Sequence, residues 1–156
     1  MKKLRVYLDT SVIGGCFDDE FQQWSNGLFE DFKTGLFLPA ISSITSFEIE
    51  KGAPPFVKEK YLLFDYNVEI IKHTKEADEL AEKYIKKGIV SSNYLEDALH
   101  IAIATAANID VLVSWNFKHI VHFDKIRLFN IVHLEEGYKP IQIYSPREVT
   151  TYGKEI

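Results

Sequence analysis

Short apolar runs along the chain alternate with longer segments in which apolar residues return every three or four positions. Leu4–Leu8 is a compact apolar run, as expected of a strand buried on both faces. From Asp18 to Lys33, Phe21, Trp24, Leu28, Phe29 and Phe32 follow helical spacing, and Gly35 closes the segment. Leu36–Ile41 predicts a second strand. Ser42 or Ser43 caps a helix running toward Glu50, and Gly52, Pro54 and Pro55 end it. The pattern continues with a helix over Phe56–Phe64, a strand over Val68–Ile71 and a helix over Lys75–Lys87 before Gly88. A strongly apolar helix covers Tyr94–Ala107, followed by a strand at Val111–Val113, a helix at Phe123–Glu135 and a strand at Ile141–Tyr144. Ser145-Pro146-Arg147-Glu148 then places serine at N-cap, proline at N1 and glutamate at N3, which starts a last short helix.

Strands alternating with helices predict an α/β architecture, a mostly parallel central sheet flanked by helices on both faces. With 156 residues, the chain is expected to form a single domain, 1–156. A domain near this size buries roughly 70% of its unfolded surface. Hydrophobic residues at 46% and charged residues at 26% match an ordinary globular protein and argue against extended disorder. The single cysteine, Cys16, excludes an internal disulfide and suits a reducing compartment. Lys2 and Lys3 open the chain as a signal peptide does, but Asp9 breaks the apolar run too early for one. No apolar stretch reaches the roughly 18 residues a membrane span needs. A cytoplasmic protein with no membrane partner is the expectation.

In a parallel sheet, chemistry gathers outside the carboxyl ends of the strands. Asp9 follows the first strand directly, either as a functional carboxylate or as a helix N-cap. Glu48 lies in the helix after the second strand. It stands two residues from Glu50, so the two point to different sides, and a solvated surface glutamate is the plainer reading of either. Asp97 opens the apolar helix, where an acid gains from the helix dipole; its apolar neighbours place it at a buried rim. His100, three residues on, is a ligand, a hydrogen-bond partner or packing, with packing the simplest reading. After the fourth strand, Asn116 offers a carbonyl oxygen to a hard cation. His119 and His122 make at most half a zinc site, with no thiol or second histidine pair to complete it. Acids delivered from separate strand-to-helix junctions to one end of a sheet repel unless a cation neutralises them, and all-oxygen donors suit magnesium or manganese.

Three segments, VYLDTSVIGG, SSITSFEIEKG and LEDALHIAIATAANIDVLVSWNFKHI, together resemble the PIN domain, in particular the VapC-like toxins of type II toxin–antitoxin systems. The likeness runs in order over nearly the whole chain. It implies a PIN-like fold in which Asp9, Glu48 and Asp97 are catalytic acids holding Mg2+ or Mn2+, with Thr10 and Ser11 in support. The chain departs from the family at the fourth acidic position. There SWNFKHI places Asn116 and His119 where many members carry aspartate, which weakens the case for a second metal. The resemblance further implies an endoribonuclease that cuts RNA to leave a 5′-phosphate, a small antitoxin partner and a homodimer.

The net charge of −5, from 18 basic and 23 acidic residues, argues against a broad basic surface for long duplexes. Metal ligation reverses the local sign of the site acids, and Lys118 is the favoured substrate contact beside Asn116, although an ordinary solvated lysine explains it as well. Two other functions stay open. One is a catalytically weak PIN-like domain that binds RNA or protein; the other is a phosphotransferase with Asp9 as nucleophile, against which stands the lack of a second aspartate two residues on. Most aromatics between Phe17 and Phe37 read as core, the rest as partner surface.

Overall fold

A computed structural model describes residues 2–62 and 68–154. Five parallel strands, β1 (Arg5–Leu8), β2 (Leu38–Ser42), β3 (Glu69–Ile71), β4 (Val111–Val113) and β5 (Gln142–Tyr144), form one sheet in the order β3-β2-β1-β4-β5. β1 is central, and its Val6, Tyr7 and Leu8 are fully buried. This confirms the reading of a run apolar on both faces.

The helices are α1 (Thr10–Gly15), α2 (Gln22–Lys33), α3 (Ser43–Gly52), α4 (Pro55–Leu62), α5 (Lys75–Lys86), α6 (Leu95–Ala106), α7 (Phe123–Glu135) and α8 (Pro146–Val149). They cover the sheet as two layers. Val6, Leu8, Ile41, Val111 and Val113 pack with residues of α1, α2 and α4. Tyr7, Ala40, Leu112 and Ile143 face the other way, onto α5, α6 and α7. The period-two alternation of strand side chains thus decides which residues meet which helical layer.

Local chemistry ends the helices much where the sequence indicates. Ser42 Oγ accepts the Ile44 N–H at 3.3 Å to open α3. Thr74 Oγ1 accepts the Ala77 N–H at 3.2 Å to open α5, whose first turn holds Glu76 and Asp78 and whose last holds Lys83 and Lys86, each favoured by the helix dipole. Gly35, at φ +81°, turns the chain out of α2 in a conformation that side chains resist. Glu148 Oε1 accepts the Ser145 N–H at 3.0 Å, as the capping-box spacing predicts.

Two elements differ from expectation. The helix predicted from Asp18 begins at Gln22, and α1 precedes it unannounced. The α1 segment, TSVIGG, is poor in helix formers; packing holds it, with Val12 and Ile13 fully buried. Gly15 permits that packing, because a Cβ there would lie 2.6 Å from both Ser25 Oγ and Trp115 Nε1. The predicted end of the helix at Phe64 lies outside the described residues. Among the described residues, no helix is long and apolar enough to cross a membrane.

Candidate active site at the carboxyl edge of the sheet

The strand register builds the site from β1 outward. Leu8 pairs with Val113, so the next residues, Asp9 and Ser114, emerge side by side. Ser114 Oγ donates to Asp9 Oδ2 at 2.6 Å. Ser11 Oγ donates to Asp9 Oδ1, also at 2.6 Å, and itself accepts the Trp115 N–H at 2.9 Å. Asp9 is the N-cap residue of α1 by position, but its side chain makes no capping bond. The carboxylate is 4% exposed and directed by two hydroxyls. Burial pushes its pKa up, against the field of His100 and the two serines, while Glu48's charge pushes the same way as burial.

Glu48 reaches the same edge from the second turn of α3, while Glu50 is exposed. Glu48 Oε1 accepts from Thr10 Oγ1 at 2.6 Å and lies 2.6 Å from His100 Nε2. Burial works to raise its pKa, but the bonds to His100 and Thr10 outweigh burial and hold the carboxyl below its usual range. Asp97 arrives differently from the expected strand-to-helix junction. It sits in the first turn of α6, which follows α5 and a short 3-10 turn rather than a strand. Its pKa is raised by burial and by Glu48, and is pulled down by His100, His119 and the Asn116 side chain. Asp9 and Asp97 each feel the Glu48 charge, so the structure brings the three acids into one electrostatic cluster.

His100 is more than the packing residue the simplest reading made it. The imidazole is 1% exposed, with Nδ1 2.7 Å from Tyr7 Oη and Nε2 on Glu48. Burial opposes its charged form, but Tyr7, Glu48 and Asp9 prevail and hold its pKa up at about 10. Glu96, beside Asp97, is raised by burial and by the neighbouring Glu48 carboxylate. The sequence reading overlooked Ser114 and Tyr7. The register of β1 against β4 was the available signal for Ser114; Tyr7 carried none, since a tyrosine in an apolar strand reads as core.

Asn116 Oδ1 accepts the His119 N–H at 3.0 Å. One lone pair of the carbonyl expected to reach a cation is thus engaged in a turn, and the Asn116 side chain also bonds Asp97. His119 stacks on Tyr94 at 3.8 Å between centroids, and its Nδ1 is 3.3 Å from Lys125 Nζ. His122 Nδ1 accepts the Lys125 N–H at 3.4 Å, and among the described residues no third His, Cys, Asp or Glu side chain joins the two histidines in a metal-holding group. Lys118 is exposed, its Nζ 6.0 Å from the centre of the Tyr94 ring. A cleft of about 540 Å³ opens beside Thr10 and Glu48 and is lined also by Gly14, Lys51, Pro54 and Glu96. A second, of about 320 Å³, lies over Tyr94, Glu96 and Asp97.

Among the described residues, no three His, Cys, Asp or Glu side chains are gathered tightly enough to enclose a metal ion. The donors at hand are carboxylate and hydroxyl oxygens beside open clefts. Such a set fits an ion that keeps several waters and takes one or two carboxylates, as magnesium does; it does not fit a closed cage.

No protein-family model matches the chain, and no curated protein matches it. Solved structures do. A chain of VapBC2 from Rickettsia felis, bound to a DNA fragment from its promoter, is 20% identical with a TM-score of 0.57, covering 91% of this chain and 98% of that one. A chain of DNA-bound VapBC from Salmonella typhimurium is 18% identical with a TM-score of 0.58, over 92% and 98%. A chain of a toxin–antitoxin complex from Klebsiella pneumoniae is 20% identical with a TM-score of 0.55, over 73% and 88%. The protein thus has a PIN-like α/β fold, the fold of chains found in VapBC complexes.

Proposed function

We propose that the protein is a divalent-metal-dependent endoribonuclease of the toxin type. The observation that carries this reading is the convergence of Asp9, Glu48 and Asp97 on one edge of the sheet, where they share an electrostatic field beside an open cleft. Keeping desolvated carboxylates together costs stability unless something positive joins them. In this reading Asp9 and Asp97, with Glu48 in support, hold Mg2+ or Mn2+. When bound, such an ion lowers the pKa of a water and neutralises charge on a phosphate.

The chain's own groups prepare that chemistry. Ser11 and Ser114 fix both oxygens of Asp9, and Thr10 helps to fix Glu48. Lys51 lines the cleft, and Lys118 stands over Tyr94; both can meet RNA phosphates and so supply positive contacts despite the net charge of −5. The VapBC complexes bring a small antitoxin covering the cleft, and a pairing of two copies of the chain, into the same proposal. Purified protein should cut single-stranded RNA with manganese, and Asp97→Asn should abolish cutting while melting like the parent. Cutting by Asp97→Asn at the parent rate would sink the assignment.

The engaged carbonyl of Asn116 favours a second reading, a PIN-like domain that binds RNA or protein and cuts poorly. RNA retained in a gel shift without metal-dependent cleavage would identify it.

A further inference from the structure

Five side chains from five different elements form one chain of hydrogen bonds that ends on Glu48. Ser42 Oγ, at the end of β2, lies 2.7 Å from Tyr7 Oη of β1. Tyr7 Oη lies 2.7 Å from His100 Nδ1 of α6, and His100 Nε2 lies 2.6 Å from Glu48 Oε1 of α3. Thr10 of α1 donates to the same glutamate oxygen at 2.6 Å. Ser42 and Tyr7 are fully buried and His100 nearly so, whereas the Glu48 side chain retains 22% exposure. The supporting end of the chain is thus sealed in the core, and its working end reaches the cleft.

A histidine that only fills space has no need to satisfy both nitrogens on partners from different strands and helices. This ring uses both, and its edge-on contact with Tyr7, at 5.6 Å and 62°, fixes its plane. An ionised Glu48 can only accept, so Nε2–H is the donor there, whichever way the hydrogen bond to Tyr7 runs. With two donors on Oε1, Oε2 is the oxygen those donors leave to a ligand; the Glu96 carboxyl is also within hydrogen-bond reach of the Glu48 carboxylate. A glutamate has several freely rotating bonds, and fixing them costs entropy. Here that cost falls on folding and is already met when a ligand arrives, which is the advantage of preorganisation.

We propose that His100 is a positioning residue that presents Glu48 through Oε2, as a one-oxygen donor, to a divalent cation at the carboxyl edge of the sheet, in the cleft that Glu48 lines with Thr10 and Glu96. This rests on the nuclease reading above, and it adds a polar support absent from the acidic set. Partners that orient a ligating carboxylate typically matter ten- to a hundredfold for metal affinity.

The test compares variants that split the two nitrogen contacts. In His100→Gln the amide nitrogen reaches about as far as Nε2 and keeps the bond to Glu48. In His100→Asn the shorter side chain can replace only Nδ1, keeping Tyr7 and losing Glu48. Calorimetric titration of the metal-free protein with Mn2+ should show His100→Asn weakened roughly ten- to a hundredfold and His100→Gln within several-fold of the parent. A purely structural role would instead make the two variants alike, and equal Mn2+ affinities in folded His100→Gln and His100→Asn would overturn the proposal. NMR of the metal-free parent gives a readout independent of the nuclease reading. A slowly exchanging His100 Nε2 proton that disappears in Glu48→Leu supports positioning, and its absence from the parent overturns it. A parent that shows this proton but binds no Mn2+ would end the nuclease reading and, with it, the presentation of Glu48 to a cation, leaving only the His100–Glu48 contact.

Discussion

The two edges of the central sheet solve opposite problems. At the amino edge, carboxylates meet cations and backbone donors. The Arg5 guanidinium bonds both oxygens of Glu69 at 3.0 and 2.8 Å and donates to the Ala107 carbonyl at 2.8 Å. Asp110 accepts the Arg5 N–H at 2.8 Å and lies 3.7 Å from Lys139. At the carboxyl edge, Asp9, Glu48, Glu96 and Asp97 crowd together, and the positive partner buried among them is His100. Burial and mutual repulsion raise the pKa of Asp9, Asp97 and Glu96. A sheet can satisfy its charges, as the amino edge shows. An edge that instead concentrates like charge is arranged for something other than stability, and this contrast supports the metal-dependent reading.

The largest expected effect falls on the crowded edge. Asp9→Asn should lower RNA cleavage roughly a hundredfold or more, the scale of the several kcal/mol that a bound ion contributes. The same change should leave the melting temperature of the metal-free protein unchanged or higher, because it removes a desolvated charge. Loss of fold in circular dichroism would reverse that expectation. Next comes Ser114→Ala, which frees Asp9 Oδ2; a roughly tenfold or greater fall in Mn2+ affinity is expected from losing an orienting partner, measured by titration.

Changing the pH should separate the edges further. Asp9, Asp97 and Glu96 carry raised pKa values, so their contribution to stability is lost as pH rises above the ordinary carboxylate range. His100, held at about 10, contributes stability that is complete below about 6.5 and lost as pH approaches 10. Glu48, held low, runs the other way, contributing above its ordinary pKa and losing that contribution in acid, and His119 and His133, held down by burial, behave alike below the ordinary imidazole range. Metal-free protein should therefore melt lower at pH 9 than at pH 6.5, and Mn2+ should restore part of the difference. A higher melting temperature at pH 9 would contradict the assignment of His100. The smallest effect belongs to the amino edge. Arg5→Ala breaks a partly exposed pair, with side chains 24% and 47% exposed, and should cost about 1 kcal/mol, or about 2–4 °C in melting temperature. Cleavage should not change.

Sequence pattern revealed the strands and most helices, because burial periodicity and capping residues leave local marks. It did not reveal α1, whose TSVIGG segment becomes helical through contacts with Trp115 and Ser25, about 100 and 10 positions distant. His100 was read as packing because its neighbours in α6 are apolar, and nothing local places Tyr7 or Glu48 against its nitrogens. The bond from the His119 N–H to Asn116 Oδ1 was not foreseen because it depends on the turn after β4. Each omission concerns a contact between elements, which one chain read residue by residue does not show. The proposal for the acids came from the likeness of three segments to PIN domains, and of that likeness the PIN-like fold is borne out by structures no more than 20% identical.

The most direct test incubates purified protein with single-stranded RNA and Mn2+, with and without chelator. The account predicts cleavage that leaves 5′-phosphate ends and stops when the metal is removed. RNA left intact at saturating Mn2+, or cut equally well in the presence of chelator, would contradict it.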